Sequence, residues 1–290
     1  MPKIRKAVIP VAGFGTRFLP VTKAQPKEML PIIDKPVIQY IVEEAVASGI
    51  EDIILVTGAS KRAIEDHFDY NYELQHWLKK QGKDKLRQEI KEIANMANFI
   101  YIRQKGPYGN GTPVLNAKKI IGNEPFAVIW GDDLFIHKKG QPRLKQLINV
   151  FNKYRDPVLS AIKIDDEGTK KYGVIDGIKV ENQVYQIKKL VEKPGPQKAP
   201  SRIGAIGAYV LTPDIFTALE KTKTGKGGEL WLVDAIFSLS KSRPIYACLV
   251  QGNYYDTGSK IGWLKANLDF ALERKDIQSE IKAYLKTLKF

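Results

Sequence analysis

The chain has 290 residues, 43% of them hydrophobic, which suits one large α/β domain or two small ones and excludes a disordered chain. No apolar run approaches the ~20 residues that span a bilayer, and the single cysteine, Cys248, excludes an internal disulfide or a multi-cysteine metal site; both point to the cytoplasm, with no membrane partner. The net charge of +14 suits either a lysine-rich solvated surface or an anionic ligand such as a phosphate or nucleic acid, and lysine pairs beginning at 79, 118, 138, 170 and 188 spread it along the chain. That pattern argues against a nucleic-acid partner, for which no motif is present.

Short β-branched runs alternate with amphipathic stretches, the mark of a parallel or mixed sheet covered by helices. The opening MPKIRKAVIPVAG lacks a small-residue cleavage site and reads as a first strand, Ile4 to Val11, not as a signal peptide. Pro36 to Ser48 reads as a helix, with Pro36 at its start, Val37, Ile41 and Ala45 at fourfold spacing, and Gly49 as its stop. Ile53 to Thr57 is a strand, Ser60 is placed to cap a helix through Phe68, and Tyr72 to Ile93 is a long charged helical region. Then come a strand at 99–103, a helix at 113–121, a strand at 126–130, a helix at 144–154 and a strand at 158–164. From Tyr172 to Val191 the pattern is hairpin-like, with turn signals at Asp176-Gly177 and Glu181-Asn182. Strands at 205–211 and 245–250 flank a helix at 229–239, and the last thirty residues look helical. No linker rich in Pro, Gly or Ser divides the chain, so one domain over 1–268 with a helical extension over 269–290 is expected.

Four stretches carry chemistry. The first strand runs into VAGFGTRFLPVTKAQPKEMLP, where glycines let the backbone approach a ligand and Arg17, Lys23 and Lys27 add charge. This describes a cradle for several phosphates, or a tight turn with solvated lysines. It is neither a dinucleotide fingerprint, since position 18 is Phe18, nor a P-loop, since Gly15-Thr16-Arg17 replaces Gly-Lys-Ser/Thr. The strand in VIWGDDLF delivers Asp132 and Asp133 to its carboxyl end, and neighbours on a strand point opposite ways. One can face a site while the other caps a turn. A carboxylate beside phosphates suits Mg²⁺, and Asp256 in NYYDTGSK, after the strand 245–250, could share that ion. In LVEKPGP, Lys193 can meet an anion and Glu192 can accept sugar hydroxyls.

The order of these stretches resembles the sugar-nucleotide pyrophosphorylases, and most closely the bacterial UTP–glucose-1-phosphate uridylyltransferases. The resemblance spans essentially the whole chain: G-x-G-T-R at 13–17, P-K-E-M-L-P at 26–31, Gln104 with G-N-G at 109–111, Asp132, Y-G-V at 172–174, V-E-K-P at 191–194, GELWLVDAI at 228–236 and D-T-G-S-K at 256–260. TKAQPKEMLP and HFDYNYEL are its most specific parts. It implies a three-layer, Rossmann-like α/β fold with a mixed sheet, a small β-hairpin lobe and C-terminal helices. It implies transfer of a nucleotidyl group from an NTP to a sugar 1-phosphate, with Mg²⁺ and in a homo-oligomer, UTP and glucose 1-phosphate being the best pair. By motif position Ala12, Gly13, Gly15 and Thr16 would surround the nucleotide, and Arg17 and Lys27 would hold phosphates. Glu28 would lie near the nucleoside, and Gln104 and Gly109 would read the base. Asp132 and Asp256 would ligate the metal, and Gly173, Glu192 and Lys193 would hold the sugar phosphate.

A sugar-phosphate oxygen is already anionic at neutral pH, so such a reaction needs positioning and charge neutralisation, not a general base. His67, His76 and His137 then need no role. Trp130-Gly131, Gly207-Ala208-Tyr209, Trp231 and Val233, and the segment GNGTPVL depart from the family's usual residues near the expected base and sugar pockets. They leave open a thymidylyltransferase or another sugar 1-phosphate. A non-catalytic sugar-nucleotide sensor is a third reading, against which Arg17, Lys27, Asp132, Lys193 and Asp256 all speak.

Overall fold

The computed structural model describes residues 3–137 and 140–289; the lysine pair at 138 and the two chain ends lie outside them. Along the chain, strand β1 (Lys6–Pro10) is followed by the two-residue strands β2 (Pro31–Ile32) and β3 (Lys35–Pro36), helix α1 (Val37–Ala47) and strand β4 (Asp52–Thr57). Helices α2 (Arg62–Phe68), α3 (Tyr72–Lys80) and α4 (Asp84–Asn95) lead to β5 (Asn98–Arg103). After α5 (Gly111–Asn116) and α6 (Lys118–Ile121) come β6 (Phe126–Ile129), β7 (Asp133–Ile136), α7 (Arg143–Tyr154) and β8 (Val158–Lys163). The hairpin β9 (Gly173–Glu181) and β10 (Val184–Glu192) precedes β11 (Ile203–Leu211), α8 (Asp214–Lys221) and α9 (Leu232–Leu239). The chain closes with β12 (Tyr246–Leu249), β13 (Asn253–Asp256), α10 (Lys260–Glu273) and α11 (Gln278–Thr287).

Nine strands form one mixed sheet in the order β5-β4-β1-β6-β11-β8-β12-β10-β9. The strands β5, β4, β1 and β6 are parallel, and β11 runs antiparallel to β6 and β8. Parallel strands covered on both faces need unbroken apolar runs, and β1, β4 and β6 have them. Ala7, Ile9, Ile53, Leu55, Ala127 and Ile129 bury toward α1, α7 and α10, while Val8, Ile54, Val56, Phe126 and Val128 bury toward α5, α8 and α9. Phe126 stacks on Phe216 of the second layer at 5.1 Å. This is the expected three-layer architecture.

Local expectations are corrected at several points. Ser60 caps nothing: α2 starts at Arg62 with Lys61 in the cap position and no side-chain cap bond. The region 72–93 is two helices, parted at Gly82. Asp176-Gly177 is no turn but lies inside β9, opposite Ile187 and Lys189, where Gly177 lets the Gln186 carbonyl approach closely. Only Glu181 to Val184 reverses the chain there. The helix expected from Glu229 begins at Leu232. The boundary expected after residue 268 falls inside α10.

Candidate active site

The loops after β1, β4, β5 and β6 leave the sheet at its carboxyl edge, where α/β sheets bind ligands. In the loop after β1, Gly15 adopts the left-handed conformation (φ 65°), and a side chain there would crowd Lys27 and Thr22. Thr22 Oγ1 donates to the Gly15 carbonyl at 2.8 Å, and buried Phe18 pins the next turn edge-on to Trp263. The turn sends Arg17 outward, where Nη1 donates to the Gly258 carbonyl at 3.1 Å and lies 3.9 Å from Asp256. A later 3-10 turn, Lys27–Met29, aims the Lys27 ammonium at Asp132, 2.5 Å from Oδ2.

The two aspartates after β6 divide their tasks. Asp133 is buried; its carboxylate accepts from the Gly207 N–H at 2.7 Å and the Tyr254 hydroxyl at 3.0 Å. Burial, reinforced by the charge of Asp132, pushes its carboxyl up to about 7. Asp132 is the residue that meets Lys27. Asp256 does not simply follow the strand at 245–250. It ends the separate strand β13, which pairs antiparallel with β7 and sets Asp256 opposite Asp133. A Cβ on Gly258 would collide with the Asp132 carboxylate and nearly touch that of Asp256, so both reach one small space.

The opposite wall comes from the hairpin. Glu192 and Gly173 are direct cross-strand partners, and Val174 pairs with Gly204 of β11, which carries this end of the hairpin to the cleft. Lys193 has φ 44°, is more than half exposed and lies 3.5 Å from Glu192. On the third side Gln104 continues β5, its N–H donating to the Thr57 carbonyl at 2.9 Å. Gly109 (φ 113°) packs on the backbone of Leu230 so closely that any side chain would collide. Glu28 forms the floor, buried and paired with Lys61 at 2.8 Å. Burial raises its carboxyl above the usual range, against the pull of Lys61 and Lys27.

Of the nucleotide, sugar-phosphate and metal residues assigned by the resemblance, all but Gly15 and Thr16 line one cleft of about 720 Å³. Those two begin the turn after β1 that carries Arg17. Lys23 ends another 3-10 turn and does not line the cleft. Among the described residues the cleft has no histidine or cysteine in its lining. His67 instead bonds Gln39, and Cys248 is buried elsewhere. Unanticipated were Lys61 and the aromatic pair Phe14 and Tyr108; Trp130, already placed near the pockets from sequence, forms a wall. Trp130 packs edge-on to Tyr209 at 5.5 Å over the space left by Gly207. Trp130 had signalled itself by replacing the family's usual residue; Lys61, just past the end of β4, had no signal that distinguished it.

The donor set fits a magnesium ion. Asp256 titrates above the usual carboxylate range, first through burial and next through the charge of Asp132, with Arg17 opposing. The two carboxylates converge and repel, with Lys27 beside Asp132 and Arg17 beside Asp256 offsetting part of that repulsion. Among the described residues no cluster of three or more His, Cys, Asp or Glu could hold a metal. Two carboxylates with substrate oxygens and water completing an octahedron are the Mg²⁺ pattern, not that of a closed zinc site. Burial depresses Lys27, but Asp132 and then Glu28 outweigh it and hold the ammonium protonated.

A family model described as nucleotidyl transferase matches residues 6–273. The chain is 49% identical to the UTP–glucose-1-phosphate uridylyltransferase YngB of Bacillus subtilis strain 168, over 98% of this chain and 95% of that protein. A UTP-bound UGPase from Acinetobacter baumannii superposes with a TM-score of 0.92 at 40% identity, covering 99% of this chain and 100% of that one. A UDP-glucose pyrophosphorylase complexed with UDP-glucose gives 0.86 at 43% identity, covering 94% and 100%.

Proposed function

Because the chain belongs to the nucleotidyl transferase family, in its UTP–glucose-1-phosphate uridylyltransferase branch, we propose that it makes UDP-glucose and pyrophosphate from UTP and glucose 1-phosphate. The observation that carries this reading is the disposition of charge. Arg17 and Lys27 on one wall and Lys193 on the other face a single cleft that also holds Asp132 and Asp256. Two polyanions must meet there, and each wall supplies cations for one of them. A phosphate oxygen of glucose 1-phosphate attacks the α-phosphorus of UTP, and the bond to the β-phosphate breaks as pyrophosphate leaves. No proton has to move. Lys193 aligns the nucleophile, while Arg17 and Lys27 stabilise charge gathering on the departing pyrophosphate. Asp132 and Asp256 would hold Mg²⁺, which when bound neutralises triphosphate charge. A cytoplasmic location accords with the cysteine usage and with the absence, among the described residues, of any helix able to cross a membrane.

Pyrophosphate release across a matrix of NTPs and sugar 1-phosphates tests the assignment. UTP with glucose 1-phosphate should be turned over fastest; a faster reaction with dTTP or another hexose phosphate would move it to the alternative, and no release with any pair would leave a sensor. Lys193→Ala tests the division between walls. It should raise KM for glucose 1-phosphate and lower kcat, a loss of roughly 1.5–3 kcal/mol or about ten- to a hundredfold in kcat/KM. A lysine that only paired with Glu192 at the surface would cost under ~1 kcal/mol, so unchanged kinetics would end the two-wall scheme.

The chain is also proposed to assemble with copies of itself. On α10, Ile261, Leu264 and Leu268 stand exposed at spacings of three and four, and Tyr284 on α11 and Leu288 just past its end are exposed as well. Such a stripe buries against a partner. Their apolar neighbours Ile277, Ile281 and Leu285 are already half-covered by the chain itself. Light scattering should show an oligomer at micromolar concentration, and Leu264→Glu should shift it to smaller species. A monomeric wild-type protein would refute this.

A further inference from the structure

Phe14 and Tyr108 are unusual among the aromatic residues of this protein. Each is nearly two-thirds exposed, yet their rings touch, with centroids 5.7 Å apart and planes inclined by 54°. They come from different loops, Phe14 from the phosphate loop after β1 and Tyr108 from the loop after β5. Both line the same cleft as Gln104 and Gly109. Single exposed hydrophobic residues need no explanation. Two large rings meeting over the nucleotide end of a binding cleft, and contributing little to the core, do.

The backbones that carry them are fastened. Gly15, next to Phe14, is held in its turn by Thr22. The Tyr108 carbonyl accepts from the Leu230 N–H at 2.7 Å, and the Gly111 N–H donates to the Leu230 carbonyl at 2.9 Å. Thr112 Oγ1 closes the loop on the Pro107 carbonyl at 2.6 Å, and the Asn110 side chain accepts from the Leu232 N–H at 2.8 Å. Rigid loops presenting free ring faces are pre-organised for a flat ligand, since little ordering remains to be done on binding.

Resting on the uridylyltransferase reading above, we infer that Phe14 and Tyr108 clamp the uracil ring of the nucleotide, stacking on its face while the Gln104 loop meets its edge. The two contributions differ in kind. Stacking is tolerant of base identity because every base has a π-face, whereas hydrogen bonds at the edge discriminate. The clamp therefore sets how tightly a nucleotide is held, and the edge sets which one. Both residues are positioning residues and touch no reacting atom.

The test uses both directions of the reaction. Phe14→Ala and Tyr108→Ala should each raise KM for UTP and for UDP-glucose by about ten- to a hundredfold, the range of alanine substitutions at base-stacking aromatics. KM for glucose 1-phosphate and for pyrophosphate should stay within about twofold, because neither carries a base, and Tm should not move because both side chains are exposed. Tyr108→Phe, which keeps the ring and loses the hydroxyl, should restore wild-type values. Titration of UDP-glucose into the unreacting protein should show the same weakening without catalysis. Unchanged KM for UTP and UDP-glucose in both alanine variants would overturn the clamp, as would an equal rise in KM for pyrophosphate, which would mark a distorted phosphate loop. A wild-type protein that forms no UDP-glucose would overturn the reading beneath it, and that is seen before any variant is compared.

Discussion

Asp132→Asn should lower kcat by about a thousandfold, or ~4 kcal/mol in the barrier, with the fold intact. The substitution keeps the shape of the side chain and removes its charge, and that charge has two uses. With Asp256 it would hold the metal proposed above, and it holds Lys27 by an ion pair at 2.5 Å. Without it the Lys27 ammonium, itself largely buried, loses its nearest counter-charge. The apparent Mg²⁺ requirement should rise along with the loss in kcat, and Asp256→Asn should follow the same direction. Steady-state rates over a Mg²⁺ series, with a melting curve for each variant, give the measurement. A near-normal rate for Asp132→Asn at saturating Mg²⁺ would remove this residue from the metal site.

Glu44→Ala is expected to destabilise the protein by about 3–5 kcal/mol, the cost of stripping one partner from a buried ion pair. Glu44 lies on α1 and meets Arg143, the first residue of α7, through two bonds of 2.9 and 3.1 Å. Arg143 is fully buried, and its Nη1 has no hydrogen-bond partner among the described residues. The Glu44 carboxylate also accepts from the Leu144 N–H at 3.0 Å, doing for α7 what a side-chain cap does, since Pro142 in the cap position offers none. Alanine at 44 would strand a guanidinium and leave a helix start unsatisfied. A fall in Tm of about 10 °C is expected for a chain of this size. The double variant Glu44→Leu, Arg143→Leu should lose less, because removing both charges spares the stranded ion. A double variant as unstable as the single one would show that packing, not charge, dominates there. The effect reaches the active site: Arg143 Nη2 donates to the Asp133 carbonyl at 3.1 Å, one residue from Asp132.

The sequence by itself determined the parts whose physics is local. Unbroken apolar runs at β1, β4 and β6 announced strands buried on both faces, because nothing else tolerates consecutive valines and isoleucines so well. The glycine turn at Gly13 and Gly15 announced a backbone that approaches a ligand, because the left-handed conformation at Gly15 is a property of one residue. Motif order carried the family, and the placement of the cations on two walls came with it. Tertiary structure alone decided what depends on distant partners. Which of two adjacent aspartates meets Lys27 turned on Gly207 and Tyr254, the latter 121 residues away, which claim Asp133 and leave Asp132 to pair with Lys27. Asp256 reached the site through the short β7–β13 ladder, too brief for any sequence period to show. Phe14 met Tyr108, and Glu28 met Lys61, across separate loops. Asp176-Gly177 read as a turn but was drawn into β9 by its ladder with β10. Apart from that hairpin ladder, the deciding energy is a contact between segments far apart in the chain, and such a contact leaves no periodicity in either segment.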